Sequence, residues 1–140
     1  MNAHAPDRPE APDLRGQQPV VRTLAMPGDA NPSGDIFGGW ILAQMDIAGG
    51  VAALNRAKGR VATVAIDAMT FHRPVLVGDV VSCYAEVTRI GRTSITFLVQ
   101  TWARRSSGEE VKVTEGHFTF VAIDGAGDRR EVAQIGRAHV

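Results

Sequence analysis

The stretch Phe37-Gly38-Gly39-Trp40-Ile41-Leu42-Ala43-Gln44-Met45-Asp46-Ile47-Ala48-Gly49-Gly50-Val51-Ala52-Ala53-Leu54-Asn55-Arg56-Ala57 decides the fold. Its apolar residues leave almost no polar face, and a helix apolar nearly all round is a buried one. About 20 residues of helix span about 30 Å. That is too long for an ordinary surface helix in a chain of 140 residues. Gly49-Gly50 lowers helix propensity in the interior, which predicts that something packs closely there. Lys58-Gly59-Arg60 supplies the stop.

Outward from this helix the sequence alternates. Residues 61–71, 79–90, 93–104 and 110–123 read as strands, and a shorter apolar run, 20–26, precedes the helix. In the third of the long runs Ile95, Phe97, Val99 and Thr101 fall on one face. Ser94, Thr96, Leu98 and Gln100 fall on the other. Gly91-Arg92 and Ser106-Ser107-Gly108 serve as hairpin connectors. Five strands joined by short turns make an antiparallel sheet, and the apolar helix is the only candidate to cover one face. The expected class is α+β, a long central helix wrapped by a curved five-stranded antiparallel sheet.

Residues 1–19 carry Pro6, Pro9, Pro12 and Pro19 among charged side chains and have almost no large apolar residues, so a flexible N-terminal arm is expected. Residues 125–140, rich in glycine and charge, are expected to form a fraying C-terminal tail. One domain, 20–124, lies between. Fifteen Lys and Arg balance fifteen Asp and Glu, so the net field argues for neither nucleic acid nor a membrane surface. No charged segment followed by a long apolar run opens the chain, and a cytoplasmic protein is the expectation. Cys83 is the single cysteine, which excludes an internal disulfide and a cysteine-based zinc site. His4, His72, His117 and His139 are scattered, so no metal site is expected.

Asp46 is an acid flanked by Met45 and Ile47, about two turns into the helix. Burying a carboxylate is costly unless it is paired or hydrogen-bonded, and no basic residue stands three or four positions away. Two readings follow: a carboxylate that organises the core through a strand or subunit neighbour, or a functional acid in apolar surroundings. The preceding loop, residues 31–37, runs through Gly38-Gly39 into the helix N-terminus, where free backbone amides favour negative charge. Such a place can polarise a carbonyl, although a flexible turn has the same composition.

Asn31-Pro32-Ser33-Gly34-Asp35-Ile36-Phe37-Gly38-Gly39-Trp40 and then Gln44-Met45-Asp46 resemble the active-site signature of the YciA-type acyl-CoA thioesterases of the hotdog superfamily. Thr63-Val64-Ala65-Ile66-Asp67, Phe71-His72-Arg73-Pro74-Val75, Val77-Gly78-Asp79-Val80-Val81 and Gly91-Arg92-Thr93-Ser94-Ile95 fit the same family. The resemblance spans residues 20–124 and implies a hotdog fold and hydrolysis of acyl-CoA to free acid and CoA. It implies Asp46 as general base or nucleophile, Asn31 as the group orienting water or thioester, and the Gly39 amide as the oxyanion donor. Thr63 is read as their polar companion. Arg73, standing where the family usually has lysine, and Arg92, Thr93 and Ser94 are implied at the CoA rim. No cofactor is implied, since CoA is part of the substrate. A homo-oligomer is implied, a dimer of hotdogs assembled as a trimer of dimers, without nucleic-acid or membrane partners.

Other chemistries fit less well. No Gly-x-Ser-x-Gly elbow marks a serine hydrolase. A hotdog dehydratase would need a histidine in the helix, which has none. The alternative is a hotdog module that binds acyl-CoA without hydrolysing it; such sensors normally carry an added DNA-binding segment, for which the proline-rich arm is too short.

Overall fold

The structure, a computed structural model, describes residues 11–132. Its elements are β1 (Val21–Leu24), α1 (Gly38–Ala57), β2 (Val61–Phe71), β3 (Val80–Ile90), β4 (Ser94–Arg104) and β5 (Glu110–Ala122), with short 3-10 turns at Leu14–Gly16 and Pro27–Asp29. The five strands form one antiparallel sheet in the order β1-β3-β4-β5-β2. The helix lies across one face.

Strand alternation sets the core. Ile95, Phe97, Val99, Thr101 and Ala103 of β4 point to the helix, beside Val113, Phe118 and Phe120 of β5 and Val81 and Cys83 of β3. Each such large apolar side chain, fully buried, contributes about 1.5–3 kcal/mol. The predicted close approach at the glycine pair is made by Phe120. A Cβ on Gly49 would lie 2.9 Å from its ring, so only glycine lets the helix settle there. At the far end Lys58 takes the left-handed conformation that closes the helix, and Arg130 donates to the Ala57 carbonyl at 2.9 Å. A cation there also complements the helix dipole.

Three expectations change. The helix buries only one stripe: Ile41, Met45, Ala48, Gly49, Ala53 and Ala57. Ile47, Val51 and Leu54 are exposed, as are Val64 and Ile66 of β2. An all-round apolar helix signals total burial, so the uncovered row marks surface that one chain alone leaves open.

The expected arm is packed where it is described. Leu14 is buried with Tyr84, Leu98 and Trp102 on the outer face of the sheet. Gln100, fully buried there, accepts from the Leu14 and Trp102 N–H groups and donates to the Pro12 carbonyl and to Glu115. Arg15 lies 3.6 Å over the Trp102 ring and bonds Asp13 and Glu110. Residues 1–10, including His4, lie outside the described residues.

The expected tail is likewise anchored to Val132, which is buried and whose N–H donates to the Arg92 carbonyl. Residues 133–140, including His139, lie outside the described residues.

Candidate active site

Asp46 stands on the flank of α1, between the buried stripe and the exposed apolar row, and is itself half-buried. Thr63, third residue of β2, donates its hydroxyl to Asp46 Oδ1 at 2.7 Å. Oδ2 has no partner among the described residues, and no ion pair reaches the carboxylate. Thr63 lies beside a register shift in β2, which skips from Thr63 to Ala65 against β5. Such an extra residue re-aims a side chain from its strand.

The loop before the helix is built by its own side chains. Asn31 Oδ1 accepts from the Ser33 and Asp35 amides at 2.9 and 3.1 Å, and Gly34 closes the turn at φ 92°. Asn31 therefore shapes the loop with its carbonyl oxygen, and its Nδ2 has no acceptor among the described residues. Phe37 caps the helix without a side-chain bond, its carbonyl accepting from Trp40 and Ile41. The Gly38 and Gly39 N–H groups are left without acceptors among the described residues. Both glycines are exposed, so a carbonyl can reach these amides.

Gly39 and Asp46 lie seven positions apart on one regular helix, about 10 Å in rise. In one chain the Gly39 amide and the Asp46 carboxylate are thus spaced apart along the helix axis. The residues expected at the CoA rim divide the same way. Ser94 pairs with Val121, which pairs with Ala62, so the Arg92–Ser94 turn shares the Thr63 end of the sheet. Arg73 follows β2 at its other end, about 30 Å away in an extended strand. There the Phe71 ring stands 3.8 Å from where a Cβ on Gly38 would be. Each chain thus carries two groups, Asp46, Thr63 and Arg92–Ser94 at one end and Asn31, Gly38–Gly39 and Arg73 at the other. Arg92 pairs with Glu131 at 3.3 Å on the surface, and Arg73 is exposed with no ion pair among the described residues.

The thioesterase superfamily model matches residues 33–108. The acyl-CoA thioester hydrolase YciA of Escherichia coli (strain K12) is 49% identical over 115 residues, covering 79% of this chain and 87% of its own. The chain belongs to the thioesterase superfamily. Among solved structures, this superfamily member resembles a hexameric thioesterase of Yersinia pestis, with TM-score 0.83 at 50% identity, covering 86% of this chain and 99% of that one. It also resembles a hexameric hotdog fold thioesterase of Campylobacter jejuni, with TM-score 0.83 at 38% identity over 89% and 98% of the two chains. The long helix on five antiparallel strands is a hotdog fold.

Other polar groups of this thioesterase-superfamily chain do not join the site. Cys83 is buried, its thiol 3.4 Å from the Thr101 hydroxyl, and burial pushes its pKa up to about 11. His117 lies on β5 opposite Asp67 of β2 and Leu98 of β4, away from Asp46 and the helix N-terminus. Among the described residues no cluster of His, Cys, Asp and Glu is arranged to hold a metal, and no helix is long and apolar enough to cross a membrane. Sequence reading missed Asp79 and Arg105, a buried ion pair under the active loop. The signal was available in part: an acid directly after a turn glycine, Gly78-Asp79, at the start of an apolar strand.

Proposed function

We propose that the chain hydrolyses acyl-CoA thioesters to free carboxylic acid and CoA, with Asp46 as general base or nucleophile. The observation that carries this reading is the Thr63–Asp46 hydrogen bond. It holds one carboxylate oxygen and leaves the other, on a half-buried side chain next to exposed Ile47, without a partner among the described residues. As base, Asp46 takes a proton from water while the water oxygen attacks the thioester carbon. The oxyanion collapses, the C–S bond breaks, and the CoA thiolate takes up a proton. As nucleophile, Asp46 attacks the same carbon, CoA thiolate leaves, and water opens the resulting anhydride. In either route the Gly39 amide donates to the carbonyl oxygen, and Asn31 Nδ2 orients water or thioester.

The working enzyme in this reading is a homo-oligomer. β2 is an edge strand, and its Thr63 bonds Asp46, next to exposed Ile47 of α1. Pairing two copies antiparallel along β2 brings the Asp46 end of one to the Gly39 end of the other, completing two sites per dimer. The hexameric relatives favour a trimer of such dimers, in which Arg73, Arg92, Thr93 and Ser94 line the CoA rim. The substrate class and the lone reduced thiol suit a cytoplasmic setting.

The test is thiol release from acetyl-, butyryl- and palmitoyl-CoA by wild type and Asp46→Asn. Wild type releases thiol and Asp46→Asn, folded and still binding substrate, loses about 100-fold or more in kcat. Near-normal turnover by the variant overturns the role of Asp46. Binding without thiol release by wild type establishes the non-hydrolytic module instead.

A further inference from the structure

Among the described residues Asp79 is the one fully buried acid, 2% exposed. It stands immediately before β3, after the tight turn at Gly78, whose φ is 92°. Its carboxylate accepts from the Leu76 amide at 2.8 Å and from the Arg105 guanidinium, which is itself largely buried. Arg105, just beyond β4, donates also to the Pro74 carbonyl at 3.0 Å. One guanidinium therefore grips both ends of the turn 74–79.

That turn is where the active loop rests. The Ile36 amide donates to the Val75 carbonyl at 3.0 Å, and Asp35 forms a β-bridge with Leu76. The Gly78 amide donates to the Ala25 carbonyl, and the Ala25 amide donates to the Asp79 carbonyl. Ile36 is two residues from Gly38, and Asp35 bonds both the backbone and the side chain of Asn31. A buried ion pair gives little net stability over apolar packing, since desolvation offsets the attraction. What two charged, hydrogen-bonded side chains add is a fixed geometry.

We propose that Arg105 and Asp79 are positioning residues: their pair fixes the turn 74–79, and the turn fixes the segment from Asn31 to Gly39 that offers its amide to the substrate. The proposal rests on the hydrolytic reading above for its kinetic consequence, and on hydrogen exchange for its structural one.

The experiment compares Arg105→Gln, Asp79→Asn and Arg105→Lys with Phe97→Leu, a core variant remote from the turn, using the full chain in its assembled state. Misplacement by about 1 Å costs up to about 100-fold in rate. Arg105→Gln and Asp79→Asn are expected to lower kcat about ten-fold or more, with KM within about two-fold. Arg105→Lys keeps the charge but not both bonds, and recovers part of the loss. Amides from Ser33 to Gly39 exchange faster in Arg105→Gln and at the wild-type rate in Phe97→Leu. Unchanged kcat in the first two variants overturns the proposal. So does an equal fall in Phe97→Leu at matched thermal midpoint. If Arg105→Gln does not fold, Arg105→Lys decides by the same two readouts. Should wild type release no thiol, the hydrolytic reading fails, and the exchange pattern alone decides whether the pair anchors the loop.

Discussion

Thr63 reaches across from β2 and donates its hydroxyl to Asp46 of α1 at 2.7 Å. The bond joins the sheet edge to the helix flank and fixes which carboxylate oxygen is free. A hydrogen bond to a charged group is worth about 1.5–3 kcal/mol. Thr63→Val is therefore expected to lower kcat about ten- to hundred-fold, and Thr63→Ser to restore most of it. Wild-type kcat in Thr63→Val, measured by thiol release, removes Thr63 from the mechanism.

The proposed pairing of two half-sites across a dimer predicts complementation. Asp46→Asn and Asn31→Ala, each expected to be nearly inactive alone, place their lesions at opposite ends of the proposed pairing. Co-expressed with separate tags, they form mixed dimers in which one site carries both lesions and the other neither. About a quarter of all sites should then be intact at equal expression. If activity stays at the mean of the two parents, Asn31 and Asp46 serve the site from one chain.

Gly49 and Gly50 are adjacent and should respond with opposite sign. A methyl on Gly49 would meet Phe120 at 2.9 Å and Val99 at 3.4 Å, whereas on Gly50 the nearest contact is 3.8 Å. Overpacking costs about 1–3 kcal/mol, against about 1 kcal/mol gained in helix propensity. Gly49→Ala should lower the urea midpoint and Gly50→Ala should hold or raise it. A raised midpoint in Gly49→Ala would mean that Phe120 gives way freely.

Cys83 has its thiol pKa raised to about 11 by burial. The folded state holds the proton more tightly than the unfolded one. The associated stability is fully present below the unfolded thiol value of about 8.5 and is lost as pH rises toward about 11. The urea midpoint of wild type should fall over that range more steeply than that of Cys83→Ala. In neutral buffer the native thiol should also be silent to the aromatic disulfides used to detect released CoA, and react once unfolded. Parallel alkaline curves for the two proteins would overturn the assignment.

Much of the fold was legible because its signals are local. The period-2 runs and the stop at Lys58-Gly59-Arg60 fall within a residue or two of the observed elements. Asp46 was legible for the same reason, as a charge out of place in its own segment. What was not legible depends on partners distant in sequence. Leu14 gave no periodic signal, yet a Gln100 side chain 86 positions away supplies its acceptor. Gln100 itself read as an outward polar residue, because nothing local says that Pro12 and Leu14 cover it. That Arg73 and Arg92 lie at opposite ends of β2, about 30 Å of extended strand apart, follows from strand pairing and could not be read from either motif.

The open side of β2 has a consequence for how the protein survives in dilute solution. Eleven residues of unpaired edge, Val61–Phe71, beside exposed Val64 and Ile66, form a template for adventitious strand addition. In the proposed dimer that edge is occupied, so assembly there would guard against fibrillar mispairing as well as serve the reaction. The protein's thermal midpoint should rise with protein concentration, and the hazard is greatest between release of the folded monomer and its first encounter with a copy of itself.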